Sequence, residues 1–266
     1  MYGIGYGITA IGATTKRSGG IAYDVNALNY FTRNSTLTDV TQKIAINQFY
    51  IDLKSYGLFG SSLRAFWFDF LGNSTKCSYN GANPSEQTTY TSGWTFSSSG
   101  SKPNGTNAYC DTGIKPSDLS QNAIGIGIYI RENITETSFD IGASNSNYVA
   151  ISSLLSGSFY GGINQNSFLT SANSDSKGFY SVTRTTSSLI KSFKNGILKV
   201  TDTTTSTTPE AINIFKGGLN RGGGILYPST RQFAFSYIDN GLTETQVANL
   251  NTCVTSLMTT LGINVW

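Results

Sequence analysis

The residues that could carry out catalysis are few, because the 266-residue sequence contains no histidine. This absence excludes Ser-His-Asp and Cys-His nucleophiles, HExxH zinc sites and every general acid or base built on an imidazole ring. Carboxylates are the remaining acid–base candidates, and Glu132 and Glu136 stand four residues apart on either side of a loop. We interpret these two glutamates as solvated loop residues and not as a catalytic pair.

Two polar, glycine-rich segments carry the residue types that bind uncharged sugars. Aromatic rings stack on the apolar faces of a sugar, while amides and charged groups form hydrogen bonds with its hydroxyls. Both segments, 157–166 and 217–227, are predicted to be loops. Their candidate ligand-binding residues are Phe159, Tyr160, Asn164, Asn220, Arg221 and Tyr227. Ordinary turn chemistry is the alternative explanation for each of these residues taken singly.

Asp140, Asn145 and Asn147 supply side-chain oxygens of the kind that calcium prefers. They follow no ligand-spacing motif, so we expect no obligatory cofactor, and calcium stays an open alternative. The cysteines Cys77, Cys110 and Cys253 form no CxxC motif, which excludes a zinc ribbon and a thioredoxin-like site. We predict a buried free thiol for Cys253, whereas pairing of the other two is left open.

The composition indicates a β-rich globular protein with little charge. Charged residues make up 12% of the chain, and 18 basic and 15 acidic residues give a net charge of +3. No apolar run approaches the roughly 20 residues of a membrane span. The basic residues are scattered and form no patch, so we expect no nucleic-acid partner. Aromatic residues, 12% of the chain, supply the core that disordered chains lack.

Residues 1–37 are predicted to form an arm that contacts another chain. Tyr2, Ile4, Tyr6 and Ile8 alternate with glycine, which gives a strand with one apolar face. Such a glycine-rich strand buries too little surface to hold one conformation alone. We therefore expect the arm to become ordered by pairing with a neighbouring chain, and a frayed terminus is the alternative.

A helix-braced domain is predicted for residues 38–266. Its first helix is capped by Thr38 or Asp39 and stops at Gly57. The residues predicted to share its buried face are Val40, Ile44, Ile46, Phe49, Ile51 and Leu53.

The closing helix begins at a capping box formed by Thr243 and Gln246. Its apolar stripe consists of Val247, Leu250, Val254, Leu257 and Leu261. Between the two helices the apolar period becomes two, with strand-like runs at 123–131, 146–154, 178–185, 189–200 and 231–238. Asn195-Gly196 is a hairpin signal, and many short strands predict an antiparallel β-sandwich.

These elements, in this order, resemble the concanavalin A-like, or laminin-G-like, jelly-roll domains of bacteriophage virion proteins. The resemblance covers about residues 38–262. It rests on LKSYGLF (53–59), SGWTFSSSGSKPNGTNAYCDTGIKPS (92–117) and FSYIDNGLTETQVANLNTCVTSLMTTLG (235–262). It implies a mainly β fold, an antiparallel sandwich with an N-terminal and a C-terminal helix packed on it.

The resemblance also implies a role, a location and partners. The chain would be a structural subunit on the particle surface, as a fibre, spike or decoration protein that takes part in host attachment. The arm would bind other virion proteins, the subunits would form a homo-oligomer, and host surface carbohydrate would be the ligand of the sandwich.

No catalytic activity is expected. Glucanases of this fold use an E-x-D-x-E pattern, and no such pattern occurs in the sequence. The glutamates are Glu86, Glu132, Glu136, Glu210 and Glu244, and none lies two residues from an aspartate. A lectin domain without a virion role is the alternative function, and a glycan depolymerase is the third.

Overall fold

The computed structural model describes residues 22–266, so the predicted contact residues Tyr2, Ile4, Tyr6 and Ile8 lie outside the described range. The helices are α1 (Val25–Arg33), α2 (Val40–Ser55), α3 (Ser74–Ser78) and α4 (Glu244–Thr260), with a 3-10 turn at Pro116–Asp118. None of these helices combines the length and the apolar character needed to cross a bilayer.

Seventeen short strands form the β structure of the described chain. The first nine are β1 (Leu63–Phe68), β2 (Thr89–Tyr90), β3 (Trp94–Ser97), β4 (Gly100–Pro103), β5 (Cys110–Asp111), β6 (Ile124–Ile130), β7 (Ile141–Ala143), β8 (Tyr148–Leu155) and β9 (Ser158–Gln165). The others are β10 (Leu169–Ala172), β11 (Gly178–Thr186), β12 (Leu189–Lys194), β13 (Ile197–Asp202), β14 (Phe215–Lys216), β15 (Leu219–Arg221), β16 (Gly224–Leu226) and β17 (Phe233–Asp239).

The strands form two sheets that pack face to face as a sandwich. The first sheet has the order β13-β12-β11-β6-β17-β4-β3, and β1 pairs with β17. The second sheet has the order β10-β9-β8-β7-β14-β5-β2, and the β15–β16 hairpin joins it at β7. Pairing is antiparallel apart from the contact between β15 and β7. The predicted fold class, a mainly β antiparallel sandwich with helices packed on it, is confirmed.

Two apolar cores lie on either side of the first sheet. One fills the space between this sheet and helices α1, α2 and α4, and the other fills the space between the two sheets. Strand β1 contributes to both cores because successive side chains point to opposite faces. Phe66 and Phe68 pack toward the helices, while Trp67 packs between the sheets. The molecule is therefore three layers deep: helices, first sheet and second sheet.

Helix α2 has the predicted bounds but only part of the predicted face. Asp39 caps it by accepting a hydrogen bond from the Gln42 amide at 2.8 Å, and Gly57 follows its end with a φ of +66°. Among the predicted face residues, Ile46, Phe49 and Leu53 are buried, whereas Val40, Ile44 and Ile51 are exposed. The prediction for the last three is wrong, because apolar residues surround this helix and the core takes only one side.

Residues 25–33 fall within the predicted arm, yet they form helix α1, which packs on the folded domain. Asp24 caps it, and Ala27, Tyr30 and Phe31 are buried in the core beneath the helices. Lys54 of α2 forms a salt bridge with Asp24 at 2.7 Å. The domain therefore includes residues 25–37, which lie before the boundary drawn at residue 38.

Helix α4 follows the sequence prediction closely. Thr243 and Gln246 form the capping box, and the stripe residues Val247, Leu250, Val254 and Leu257 are buried. Asn195 and Gly196 both adopt positive φ angles, as the tight turn between β12 and β13 requires. The three cysteines are buried and free, which settles the open question of a bond between Cys77 and Cys110.

Candidate functional site

The outer face of the second sheet, turned away from the first sheet, carries a continuous row of residues across six strands. The pairing register places side by side Gly162, Ala150, Gly142, Phe215, Asp111 and Thr89. Side chains alternate along a strand, so the neighbouring residues Cys110 and Lys216 point into the space between the sheets, where both are fully buried.

An open groove lies at the Asp111 end of this row. Its volume is about 280 Å³, and its lining residues are Tyr109, Asp111, Lys115, Ile212, Asn213, Phe215, Asn220 and Gly223. Strands β5 and β14 contribute the floor, and the β15–β16 hairpin contributes one wall. The sheet fixes the floor, because β14 pairs with β5 on one side and with β7 on the other.

Tyr109 supplies the aromatic surface of the groove. Its ring is stacked on the ring of Phe215, with centroids 4.1 Å apart and an angle of 12° between the planes. Phe215 is only 3% exposed, so it acts as the base on which Tyr109 rests. The half-buried Tyr109 ring is thereby held in one orientation at the groove surface.

Polar groups beside the stack are held by hydrogen bonds. The Asp111 carboxylate accepts from the Gly113 amide at 2.8 Å and from Asn213 Nδ2 at 3.1 Å. Asn220 Nδ2 donates to the Asn213 carbonyl at 2.7 Å. A carboxylate has about four acceptor positions, so Asp111 retains capacity for a ligand. The exposed Lys115 places a positive charge in the same groove.

Segment 157–166 forms strand β9 instead of the predicted loop. Phe159 is 2% exposed and packs between the sheets. Asn164 is fully buried: its Nδ2 donates to the Gln121 carbonyl at 2.9 Å, and Thr207 pairs with its backbone. The predictions that Phe159 and Asn164 contact a ligand are therefore wrong. Tyr160 does reach the outer face, where it is half-buried but does not line the groove.

Segment 217–227 forms the β15–β16 hairpin and contributes one predicted residue to the groove. Asn220 lines it, although the side chain is nearly buried within the hairpin. Arg221 is exposed at the end of β15. Tyr227 is 43% exposed and lies next to Phe139, with ring centroids 6.0 Å apart. The structure therefore separates Arg221 and Tyr227 from the groove lining.

The candidate calcium ligands do not form a common site. Asp140 is fully buried and is paired with Arg231 at 2.8 Å. Asn145 Oδ1 accepts from the amide of Gly222, and the side-chain nitrogen of Asn147 donates to a loop carbonyl. Within residues 22–266, no group of three or more Asp, Glu, Cys or His side chains is placed to hold a metal ion. These residues therefore do not fit a calcium ion.

Glu136 is not the solvated loop residue that the sequence indicated. Its carboxylate accepts hydrogen bonds from the Thr230 hydroxyl at 2.6 Å and from the Ser229 hydroxyl at 2.9 Å. Arg231 lies between Glu136 and Asp140, at 3.7 Å and 2.8 Å. Burial alone would raise the pKa of Glu136, but the Thr230 hydrogen bonds and the Arg231 charge hold it below its usual value. The carboxylates of Glu136 and Asp140 thus stabilise the fold through Arg231 and the neighbouring hydroxyls.

A buried ion pair that sequence reasoning missed connects the two sheets. Lys216 Nζ lies 2.7 Å from Asp69 Oδ1, and neither side chain has exposed surface. Burial lowers the pKa of Lys216, but the charge and hydrogen bond of Asp69, together with the nearby Cys110 and Cys77, raise this pKa overall. The signal was a single acidic residue inside the aromatic run FWFDF. Its partner Lys216 lies 147 residues further along the chain, and the sequence around Lys216 does not indicate that it is buried.

The sequence matches no protein-family model and no curated protein. A Trypanosoma rangeli sialidase in complex with 2,3-difluoro-KDN aligns with a TM-score of 0.54 and 10% identity over 79% of this chain and 38% of the sialidase. The binding domain of botulinum neurotoxin serotype D aligns with a TM-score of 0.52 and 8% identity, over 72% of this chain and 51% of that one. The chain thus spans about half the length of the neurotoxin chain and less than half the length of the sialidase.

At identities this low, the likeness shows the fold alone. The chain shares a β-sandwich architecture with the aligned part of the sialidase and with that of the neurotoxin binding domain. The groove on the second sheet must therefore be judged by its own residues.

Proposed function

We propose that this protein is a carbohydrate-binding β-sandwich that acts without catalysis, and that its ligand occupies the groove on the second sheet. The observation that carries the proposal is the Tyr109–Phe215 stack in the same groove as the hydrogen-bonded Asp111 and Asn213. Aromatic and amide or carboxylate groups in one rigid groove are the combination that recognises a sugar.

A sugar has both an apolar face and hydrogen-bonding hydroxyls, and the groove has groups that can bind each of them. A sugar ring has an apolar face of C–H groups, which packs on an aromatic ring such as that of Tyr109. Its hydroxyls both donate and accept, so they pair with the Asp111 carboxylate and the Lys115 ammonium. The volume of about 280 Å³ is near the lower limit of small-ligand sites. This size favours the end of a glycan over a long internal stretch.

The positions of the carboxylates support binding without catalysis. Retaining and inverting glycosidases both use two carboxylates that flank the scissile bond. Of the described residues that line the groove, Asp111 is the single carboxylate. Outside the groove, Arg231 bridges the carboxylates of Glu136 and Asp140, and serine and threonine hydroxyls hold Glu136.

The proposed setting is the surface of a bacteriophage particle, where the chain serves as a fibre, spike or decoration subunit. The order of sequence motifs across residues 38–262 supports this setting, and so does the glycine-alternating arm with its one apolar face. In this setting the arm contacts other virion proteins, the subunits form a homo-oligomer, and the groove faces host glycans. Mass spectrometry of purified particles tests this setting: the chain is expected among their abundant components.

The groove itself is tested by substituting its aromatic surface. The full chain is applied to an array of purified bacterial surface polysaccharides, and Tyr109→Ala is compared with wild type. We expect Tyr109→Ala to weaken binding by about tenfold or more, equivalent to about 1.4 kcal/mol. The matched control is Tyr227→Ala, which removes an exposed tyrosine outside the groove and should bind as wild type does. Wild-type binding by Tyr109→Ala would contradict the proposed site.

Two other functions make different predictions. A lectin domain without a virion role would bind the same glycans but would be absent from purified particles. A glycan depolymerase would release reducing ends from the bound polysaccharide, which a colorimetric assay detects. We expect binding without release of reducing ends.

A further inference from the structure

The ion pair between Lys216 and Asp69 is enclosed by groups that the glycan groove does not use. The ring centres of Trp67 and Tyr90 each lie 5.1 Å from Lys216 Nζ. The Tyr90 hydroxyl donates to Asp69 Oδ1 at 2.8 Å, and the Ser236 hydroxyl donates to Asp69 Oδ2 at 2.9 Å. Bulk water does not reach the pair, because neither charged side chain has exposed surface. An amine and a carboxylate are thus held in contact in a dry, aromatic-walled site.

We propose that Lys216 and Asp69 condense to an intramolecular amide, an isopeptide bond that covalently joins the second sheet to the first. The bond that forms is Nζ–Cγ, and the bond that breaks is Cγ–Oδ1. The ammonium begins with three protons and retains one in the amide, and the other two leave with Oδ1 as water. No oxidant, reductant or other reactant is required.

The hydrogen bonds of the site provide a path for both protons. Transfer of the first from Nζ to Oδ1, across 2.7 Å, makes the amine nucleophilic and the carboxyl electrophilic in a single step. Nζ also donates to the Tyr90 hydroxyl at 3.1 Å, and this hydroxyl in turn donates to Oδ1. Tyr90 is therefore placed to relay the second proton to the leaving oxygen. The Ser236 hydroxyl holds Oδ2, which becomes the carbonyl oxygen of the amide.

The surroundings favour the product for two reasons. The fold holds the reacting groups in contact, so the reaction does not depend on a bimolecular encounter. Burial of two charges carries a large desolvation cost even when they are paired. A neutral amide removes both charges from the interior.

The intact mass of the denatured full chain tests the proposal directly. We expect the wild-type mass to be smaller than the sequence mass by one water, after allowance for removal of Met1. A tryptic digest should contain one branched peptide that joins Asp69 to Lys216, with no cleavage after Lys216. A wild-type mass equal to the full sequence mass would overturn the proposal and leave an ordinary ion pair. This measurement requires no variant to fold.

An internal control is present in the same digest. Lys191 and Glu244 also lie 2.7 Å apart, but their side chains are 25% and 52% exposed, so water reaches this pair. We expect their peptides to be unlinked, and a link there in place of the Asp69–Lys216 link would contradict the role of burial. Lys216→Met and Asp69→Ala should each restore the full sequence mass.

Tyr90→Phe tests the proton relay, because it keeps the aromatic wall and removes the hydroxyl. We expect the linked fraction to accumulate more slowly after synthesis by about a hundredfold or more, in the range of general acid–base effects. Accumulation at the wild-type rate would show that the assigned relay is wrong. The Tyr109 side chain does not contact Lys216 or Asp69, so Tyr109→Ala should lose glycan binding and keep the link.

Discussion

The carboxylate of Asp239 on β17 packs directly against the backbone of Gly125 on β6, so closely that a methyl group at Gly125 would overlap its oxygens. One oxygen accepts hydrogen bonds from the amides of Gly241 and Leu242 at 2.6 Å and 3.0 Å. The other oxygen is buried and has no partner in the structure. Burial raises the pKa of Asp239 to about 7, even though both amides act in the opposite direction.

This raised pKa predicts that the protein loses stability as the pH rises from about 4 to about 7. Between these values the folded state keeps a proton that the unfolded state has released, so deprotonation favours unfolding. Asp239→Asn removes the charge and should unfold at higher urea concentration than wild type near pH 8. The gain is up to about 4 kcal/mol there, and it should shrink by more than half near pH 5. A gain that is independent of pH would contradict the assignment.

A matched pair of isoleucines on α2 tests which side of the helix is buried. Ile46 is fully buried, whereas Ile44 is 46% exposed. Ile46→Ala should lower the free energy of unfolding by about 2–5 kcal/mol, because it leaves a cavity. Ile44→Ala should change it by less than about 1 kcal/mol. Urea denaturation of both variants provides the measurement, and equal losses would contradict the orientation of the helix.

Arg184 is expected to stabilise the turns around it. Its guanidinium is fully buried and donates to the carbonyls of Ile163, Ser187 and Thr204 at 2.9, 2.9 and 3.0 Å. Arg184→Met leaves these acceptors unsatisfied and should cost about 2–4 kcal/mol of stability. The exposed Arg221 provides the control, since Arg221→Met should leave the melting temperature unchanged. Similar melting of all three proteins would show that the buried contacts contribute little.

Deletion of residues 2–20 separates the proposed arm from the sandwich. The described core begins at Ala27 on α1, so the truncated chain is expected to fold and to melt within about a degree of wild type. Its incorporation into particles should be lost, because the proposed anchor is missing. Unfolding of the truncated chain, or normal incorporation, would contradict the role of the arm.

Local signals in the sequence predicted the elements well. The capping box of Thr243 and Gln246, the cap at Asp39 and the turn at Asn195-Gly196 each depend on residues within a few positions of one another. The buried side of α2 could not be predicted in the same way. Helix α4, which packs against α2, lies near the other end of the described chain, and apolar residues occupy the exposed side of α2 as well.

The candidate site was predicted only in part, for a related reason. Asn220 was identified from its loop, but Tyr109 and Phe215 meet only because β5 pairs with β14 more than a hundred positions later. Phe159 and Asn164 failed as candidates because glycine and asparagine also occur within strands. Residue types alone do not distinguish a polar strand whose surface is covered by another loop from a loop that remains open.

The two residues of β14 point in opposite directions: Phe215 supports the groove, and Lys216 reaches Asp69 between the sheets. A ligand bound in the proposed groove would therefore pull on β14, and this strand also contacts the first sheet through Lys216 and Asp69. Under a pulling force, the hydrogen bonds between neighbouring strands can break one after another. An ion pair or an amide between Lys216 and Asp69 would instead transmit part of this force to β1 and to the helices packed on the first sheet. The two-residue strand β14 is thus the place where a load on the proposed groove would pass to the first sheet.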